Sequence, residues 1–222
     1  MRVLGLVPAR GGSRRVRRKN LALLGGRSLV RRALETALAA ECFDAVALSS
    51  EDAEILREAD GLEVARVERP ASLATDTARA YDVVVHALDV LGEFDAVAVI
   101  QATSPFTAPD DLAGAVALLE RTGAASVVSV GRVEGADHPL KLKVMEGDRL
   151  LPWLAEDSMT PSHELPPLWV RNGSLYVSRR EVIDAGLLVS EDDCRGYEMP
   201  PERSFDIDTP RDLAFAEFLL DR

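Results

Sequence analysis

Of the 222 residues only two are cysteine, three are histidine and 5% are aromatic. Cys42 and Cys194 form no CxxC pair and no metal-ligand spacing. That points to reduced thiols in a cytoplasmic protein, not to a disulfide scaffold or a zinc site. No segment reaches the ~18 consecutive apolar residues of a membrane span. The apolar start, Val3 to Pro8, is six residues long and runs into Arg10, too short a core for a secretory leader. Neither GxxxxGK[ST] nor GxGxxG occurs, which excludes a Walker loop and a dinucleotide fingerprint. Internal repeats and low-complexity tracts are also missing. The scarcity of aromatics denies a single-stranded nucleic acid its stacking platform.

What is present is a globular composition, 47% hydrophobic and 28% charged. A chain of this length buries roughly 70% of the surface its unfolded form exposes, so one domain over residues 1–222 folds without staples. The charge is unevenly placed. Residues 1–34 hold ten Arg or Lys and no acid, although the whole chain carries −11. Residues 35–222 therefore carry −21. Such a body repels nucleic acid, whereas one basic loop on it suits a compact polyanion such as a nucleoside triphosphate.

Apolar runs and helical periodicity alternate along the first 130 residues. Strands are predicted at Val3–Val7, Ala45–Leu48, Leu62–Val67, Asp95–Ile100 and Ser126–Val130. Between them come helices: Leu29–Ala40 capped by Ser28, Glu51–Ala59 capped by Ser50, Ala78–Leu91 capped by Thr77, and one opened by Pro109 and stopped before Gly123. This order predicts an α/β fold, a mostly parallel sheet with helices on both faces. Its ligand belongs beyond the carboxyl ends of the strands, in the loops after Val7, Leu48, Val67 and Ile100. Residues 131–168 break the pattern. Lys141–Met145 and Arg149–Leu151 flank a turn at Glu146-Gly147-Asp148 and read as a hairpin on a projecting arm. Leu168–Ser178 and Ser204–Asp208 resume as strands. Thr209 and Pro210 then open a C-terminal helix.

Four segments carry chemistry. In VPARGGSRRVRRKN, residues 7–20, glycines let backbone N–H groups approach phosphate, and Arg10, Arg14 and Lys19 neutralise its charge. Arg15, Arg17 and Arg18 read individually as solvent-facing. ERPASLATDT, residues 68–77, reads equally as a loop with a helix cap or as a binding loop. In QATSPF, Gln101, Thr103 and Ser104 are neutral hydrogen-bonders suited to sugar hydroxyls or a base. In FDIDTP, Asp206 and Asp208 share one face of the predicted strand and form a hard-oxygen clamp for Mg²⁺. His86 reads as helix packing or surface, and no histidine stands out as a general base.

With VPARGGSRRVRRKN, SSEDAEI, RPASLATDTA, QATSPF, DHPLK, RNGSLYVSRR and PPERSFDIDTP in this order, the chain resembles the acylneuraminate cytidylyltransferases. KDO cytidylyltransferases are more distant relatives. The resemblance spans residue 3 to about 220. It implies a Rossmann-like nucleotide-diphospho-sugar transferase fold that joins CTP to the anomeric hydroxyl of a sialic-acid-like 2-keto acid sugar, giving a CMP-sugar and pyrophosphate. It implies Mg²⁺ on Asp206 and Asp208. It also implies a homodimer built through the arm at 136–170, each arm reaching the partner's site. The implied nucleotide site is Ala9, Arg10, Gly11, Gly12, Ser13, Arg14, Lys19, Asn20, Arg69 and Thr77. The implied acceptor site is Gln101, Thr103, Ser104, Lys141, Arg171 and Asn172, with His138 near the acceptor in the dimer. Arg10, Lys19 and Asp208 are the implied catalytic set, Asp208 being the proton acceptor.

The sequence departs from the family's pattern in places. Arg14-Arg15 stands where Lys-Gly is common. Ala80 stands where the family has a serine on the cytosine. Val170-Arg171-Asn172-Gly173 replaces Arg-Pro-Asn-Gly, moving the arginine by one residue, and Asp137 replaces a histidine. The last two changes lie on the acceptor side. They leave open a related nonulosonic acid, a KDO-type sugar, or another 2-keto or phosphono acid. A non-catalytic nucleotide-binding protein on the same scaffold is the other alternative.

Overall fold

In the centre of the sheet, strand residues alternate between two cores. Val3 and Val7 pack on one face with Val30, Leu34, Ile55 and Leu112. Leu4 and Leu6 pack on the other with Val84, Ala87, Leu88 and Ile183. Burying both faces is what demands apolar runs instead of alternation. Each fully buried leucine contributes about 2 kcal/mol relative to an exposed one.

The computed structural model describes residues 1–13, 15–154 and 159–220. In chain order the elements are β1 (Val3–Pro8), β2 (Leu23–Leu24), β3 (Arg27–Ser28), α1 (Leu29–Ala39), β4 (Ala45–Ser50), α2 (Ala53–Arg57), β5 (Ala65–Glu68), α3 (Ala80–Leu91), β6 (Ala96–Ile100), α4 (Pro109–Thr122) and β7 (Ser126–Arg132). They continue with β8 (Lys143–Glu146), β9 (Arg149–Pro152), β10 (Trp169–Arg179), α5 (Arg180–Asp184), β11 (Cys194–Glu198) and α6 (Pro210–Leu220). The seven-stranded sheet runs β11-β7-β10-β6-β1-β4-β5. β6, β1, β4 and β5 are parallel, and so are β11 and β7. β10 runs antiparallel to both its neighbours. Its amino end therefore reaches the edge where β6 ends.

The helix ends follow capping chemistry. Ser28 accepts the Arg31 N–H and opens α1. Pro109 opens α4, the Asp111 carboxylate takes the Ala108 N–H at 2.9 Å, and Gly123 in the left-handed region closes the helix. The Thr209 hydroxyl accepts the Asp212 N–H at 3.3 Å and opens α6.

Three expectations are corrected. Ser50 does not cap α2. It remains in β4, paired with Glu68, and Asp52 caps instead through the N–H groups of Glu54 and Ile55. Thr77 does not cap α3, which begins at Ala80 after Arg79 with no side-chain cap. Residues 204–208 are not a strand. The Ser204 N–H turns back to Pro200 and Pro201, and the Ile207 N–H goes to the Thr103 carbonyl, so no ladder forms.

The arm leaves the sheet where the Val133 N–H meets the Leu168 carbonyl. Its hairpin pairs Glu146 with Arg149, leaving the two-residue turn Gly147-Asp148. Gly147 has φ 66°, the left-handed backbone such turns require. Met145, Leu150 and Trp153 are exposed along it. Among the described residues no helix is long and apolar enough to cross a membrane.

Candidate active site

The parallel strands deliver their following loops to one edge of the sheet. A cavity of about 520 Å³ opens there. Its walls are Arg10, Ser13, Arg15, Lys19 and Asn20 after β1, Arg69, Thr75 and Asp76 after β5, and Gln101 and Thr103 after β6, closed by Asp208. These loops are three of the four expected from topology.

The fourth loop, after β4, organises the others from behind. The Glu51 carboxylate takes the Gly11 N–H on one oxygen at 2.7 Å and the Arg69 guanidinium on the other at 3.1 Å. Gly11 lies so close to this loop that a Cβ would meet Asp52 Oδ2 at 2.5 Å. Only glycine fits that approach. The Gly11 N–H is spent on Glu51 and does not point to a phosphate, which corrects the reading of that amide. Gly12 is exposed, and Ala9 is buried with its N–H on the Ser49 carbonyl.

Arg69 is the most deeply buried cation here, its side chain 3% exposed. Burial lowers its pKa, the Glu51 charge and hydrogen bond oppose that, and nearby Arg10 adds to the lowering. Its Nε is buried with no partner among the described residues. Buried donors without a partner are uncommon in folded proteins.

The basic loop is held from both sides. Asn20 Nδ2 donates to the Arg10 carbonyl at 2.9 Å. Arg10 itself donates to the Thr75 carbonyl and pairs with Asp76 at 3.1 Å. Lys19 Nζ donates to the Ile207 carbonyl at 2.7 Å and to Asp208 Oδ1 at 3.2 Å. The two aspartates therefore come together around Lys19 without a strand to align them. Burial raises the Asp206 carboxyl, the Thr103 hydrogen bond and the Lys19 charge lower it, and the Asp208 charge raises it further. Ile207, between them, is fully buried as expected.

This segment is anchored at a distance. Arg203 clasps the fully buried Asp111 of α4 through two bonds of 2.8 and 2.9 Å. Asn172 Nδ2 holds Ser204 Oγ at 3.0 Å.

A second cavity of about 400 Å³ shares Ala80 and Gln101 with the first. Arg171, Tyr176, Leu188, Val189 and Glu191 complete its lining. The site thus has two compartments, one rich in cations and one with a single arginine, a carboxylate and an apolar wall, meeting at Gln101.

A profile of the cytidylyltransferase family matches residues 4–219. The chain belongs to the cytidylyltransferase family. It is 32% identical to the CMP-N,N'-diacetyllegionaminic acid synthase of Legionella pneumophila, over 100% of this chain and 97% of that protein. It is also 32% identical to N-acylneuraminate cytidylyltransferase A of Danio rerio, over 97% of this chain. The chain spans about half the length of that relative, 50%. Among solved structures it resembles CMP:2-keto-3-deoxy-manno-octonic acid synthetase complexed with CTP, at a TM-score of 0.73 and 19% identity over 100% of this chain and 99% of that one. It also resembles 4-diphosphocytidyl-2C-methyl-D-erythritol synthase from Anaerococcus prevotii, at a TM-score of 0.69 and 14% identity, again over 100% and 99%. These two likenesses show a shared Rossmann-like α/β fold.

In this cytidylyltransferase the cavity gathers Arg10, Ser13, Lys19, Asn20, Arg69, Gln101, Thr103 and Asp208, all expected from sequence. Asp206 adjoins them through Thr103 and Lys19. Arg171 lines the second compartment. Arg14 lies outside the described residues. Three expected ligand residues lie off the lining of this cavity. Thr77 is exposed and its hydroxyl meets Thr75 at 3.3 Å, while Thr75 and Asp76 face the cavity. Ser104 is buried in the turn its carbonyl closes with Thr107. Asn172 spends its amide inside the protein on Ser129, Ser204 and the Ser174 N–H.

Lys141 donates to Ser162 within the arm at 2.8 Å and does not line this chain's own cavity. His138 is buried, with Nε2 at the Pro166 carbonyl and Nδ1 accepting the Leu140 N–H. Both ring nitrogens are thereby engaged within the arm. Sequence reading passed over Arg15 and Glu51. Glu51 had one signal, an acid placed directly after an apolar strand.

Proposed function

We propose that the protein transfers the cytidylyl group of CTP to the anomeric hydroxyl of a nonulosonic acid, an acidic 2-keto sugar of the sialic and legionaminic type, releasing pyrophosphate. The observation that carries this reading is the pair of compartments meeting at Gln101. The larger suits a triphosphate, with Arg10, Lys19 and the loop amides beyond Gly11 for its charge, and Arg69 for the cytidine. The smaller suits the acceptor, with Arg171 for its carboxylate and Tyr176, Leu188 and Val189 for acyl substituents. The legionaminic acid synthase relative supports this class of acceptor.

Catalysis here is positioning and charge stabilisation. Asp206 and Asp208 fit Mg²⁺: they are hard oxygen donors, two in number, as Mg²⁺ takes when substrate phosphates supply the rest. Burial of Asp206 beside a second carboxylate also calls for a compensating cation. When bound there, Mg²⁺ would supply charge neutralisation at the phosphates. Lys19 holds Asp208 and the 207 carbonyl in place. Asp208 accepts the proton of the attacking hydroxyl.

Exposed Met145, Leu150 and Trp153 support dimerisation through the arm, which also gives Lys141 a partner's site to reach. Trp153→Glu is expected to shift the particle mass toward the monomer in light scattering. An unchanged mass removes the arm from the interface.

The test of the reaction is pyrophosphate release from CTP and Mg²⁺ against sialic, legionaminic and KDO-type sugars. Release with a nonulosonic acid at a rate well above that with KDO supports the proposal. Release with KDO alone contradicts it.

A further inference from the structure

Arg15 is not used by the reaction proposed above, yet it lines the larger cavity and touches the aspartate at its floor. Its Nη1 donates to Asp208 Oδ2 at 2.9 Å. The side chain is 69% exposed and that of Asp208 is 51% exposed. Lys19 takes the other oxygen of the same carboxylate, but Lys19 is also anchored on the Ile207 carbonyl and is 15% exposed. Two cations thus share one carboxylate, and only one of them has a second anchor among the described residues.

An exposed pair of this kind is weak and exchanges readily. A triphosphate brings about four negative charges to the same cavity, and the arginine fork matches two phosphate oxygens at once. Its arrival favours transfer of Arg15 from Asp208 to the phosphates. Oδ2 of Asp208, covered by Arg15 until then, is released to a metal ion at that moment. Among the described arginines of the loop, Arg17 and Arg18 do not share this position. Arg18 is bound to Asp52 and Glu54 on the far side, and Arg17 is exposed away from the cavity lining.

We propose that Arg15 is a phosphate-binding residue that rests on Asp208 until the nucleotide arrives, so that a divalent cation reaches Asp208 after the nucleotide. The inference rests on CTP being the ligand of the larger cavity.

Two binding measurements test it, neither requiring turnover. CTP binding is measured by calorimetry in metal-free buffer with EDTA. Mn²⁺ binding to nucleotide-free protein is measured by electron paramagnetic resonance. Arg15→Ala is expected to weaken metal-free CTP binding about tenfold. It is expected to tighten Mn²⁺ binding roughly threefold or more by uncovering Asp208. Arg17→Ala removes the same charge from the same loop and is expected to change either affinity by about twofold at most. Equal effects of the two variants overturn the role of Arg15 while CTP binding by the wild type leaves the nucleotide site standing. Absence of CTP binding by the wild type overturns both.

Discussion

Asp208→Ala is expected to lower kcat by about 10²–10³-fold, the scale of losing one preorganised electrostatic group, while the fold barely changes. The carboxylate is half exposed, and its side-chain partners among the described residues are Arg15 and Lys19. Exposed pairs contribute about 0–1 kcal/mol, so Tm should stay within about 3 °C of the wild type. Lys19 keeps its bond to the Ile207 carbonyl and remains in place. Activity and stability therefore separate cleanly. They are measured by initial rates at saturating CTP and by thermal unfolding of the same preparation. A variant that turns over at the wild-type rate removes Asp208 from the chemistry.

Glu51→Ala should do the opposite, acting first on stability. The carboxylate joins the buried Arg69 to the Gly11 N–H. Removing it strands a guanidinium that is 3% exposed and already disfavoured by burial. Breaking a buried pair from one side costs about 3–5 kcal/mol, and an unpaired amide adds to that. Chemical denaturation should show the loss, and the surviving folded protein should bind CTP weakly because loop and Arg69 lose their common anchor. Glu51→Gln keeps one of the two hydrogen bonds and should fall between. A wild-type midpoint for Glu51→Ala contradicts the assigned role.

The contrast between these two residues mirrors what the sequence displays. Doubly buried strands such as Ala96–Ile100 announce themselves as apolar runs, and the loops that follow them are legible at once. Cys194–Glu198 is an edge strand with only partial burial, so CRGYE has no such run and is silent. β10 reads as a strand, but its direction is set by its partners β6 and β7, which local composition does not encode. The aspartate pair was found for a partly mistaken reason. Lys19 bonds Asp208 and its charge acts on Asp206, yet an irregular segment pinned by Thr103, Asn172 and Asp111 brings them there. Thr77 and Asn172 look like ligands in the text, but one hydroxyl stays with Thr75 and one amide is consumed internally. Glu51 escaped notice because its partners lie 18 and 40 residues away.

The central claim is that the two compartments meeting at Gln101 carry out cytidylyl transfer. The most direct measurement follows CTP labelled at its α-phosphorus, incubated with Mg²⁺ and a nonulosonic acid. The account predicts the label in a CMP-sugar, with one pyrophosphate released for each one formed. Label that remains in CTP, or that appears as CDP while a terminal phosphate goes to the sugar, would contradict it.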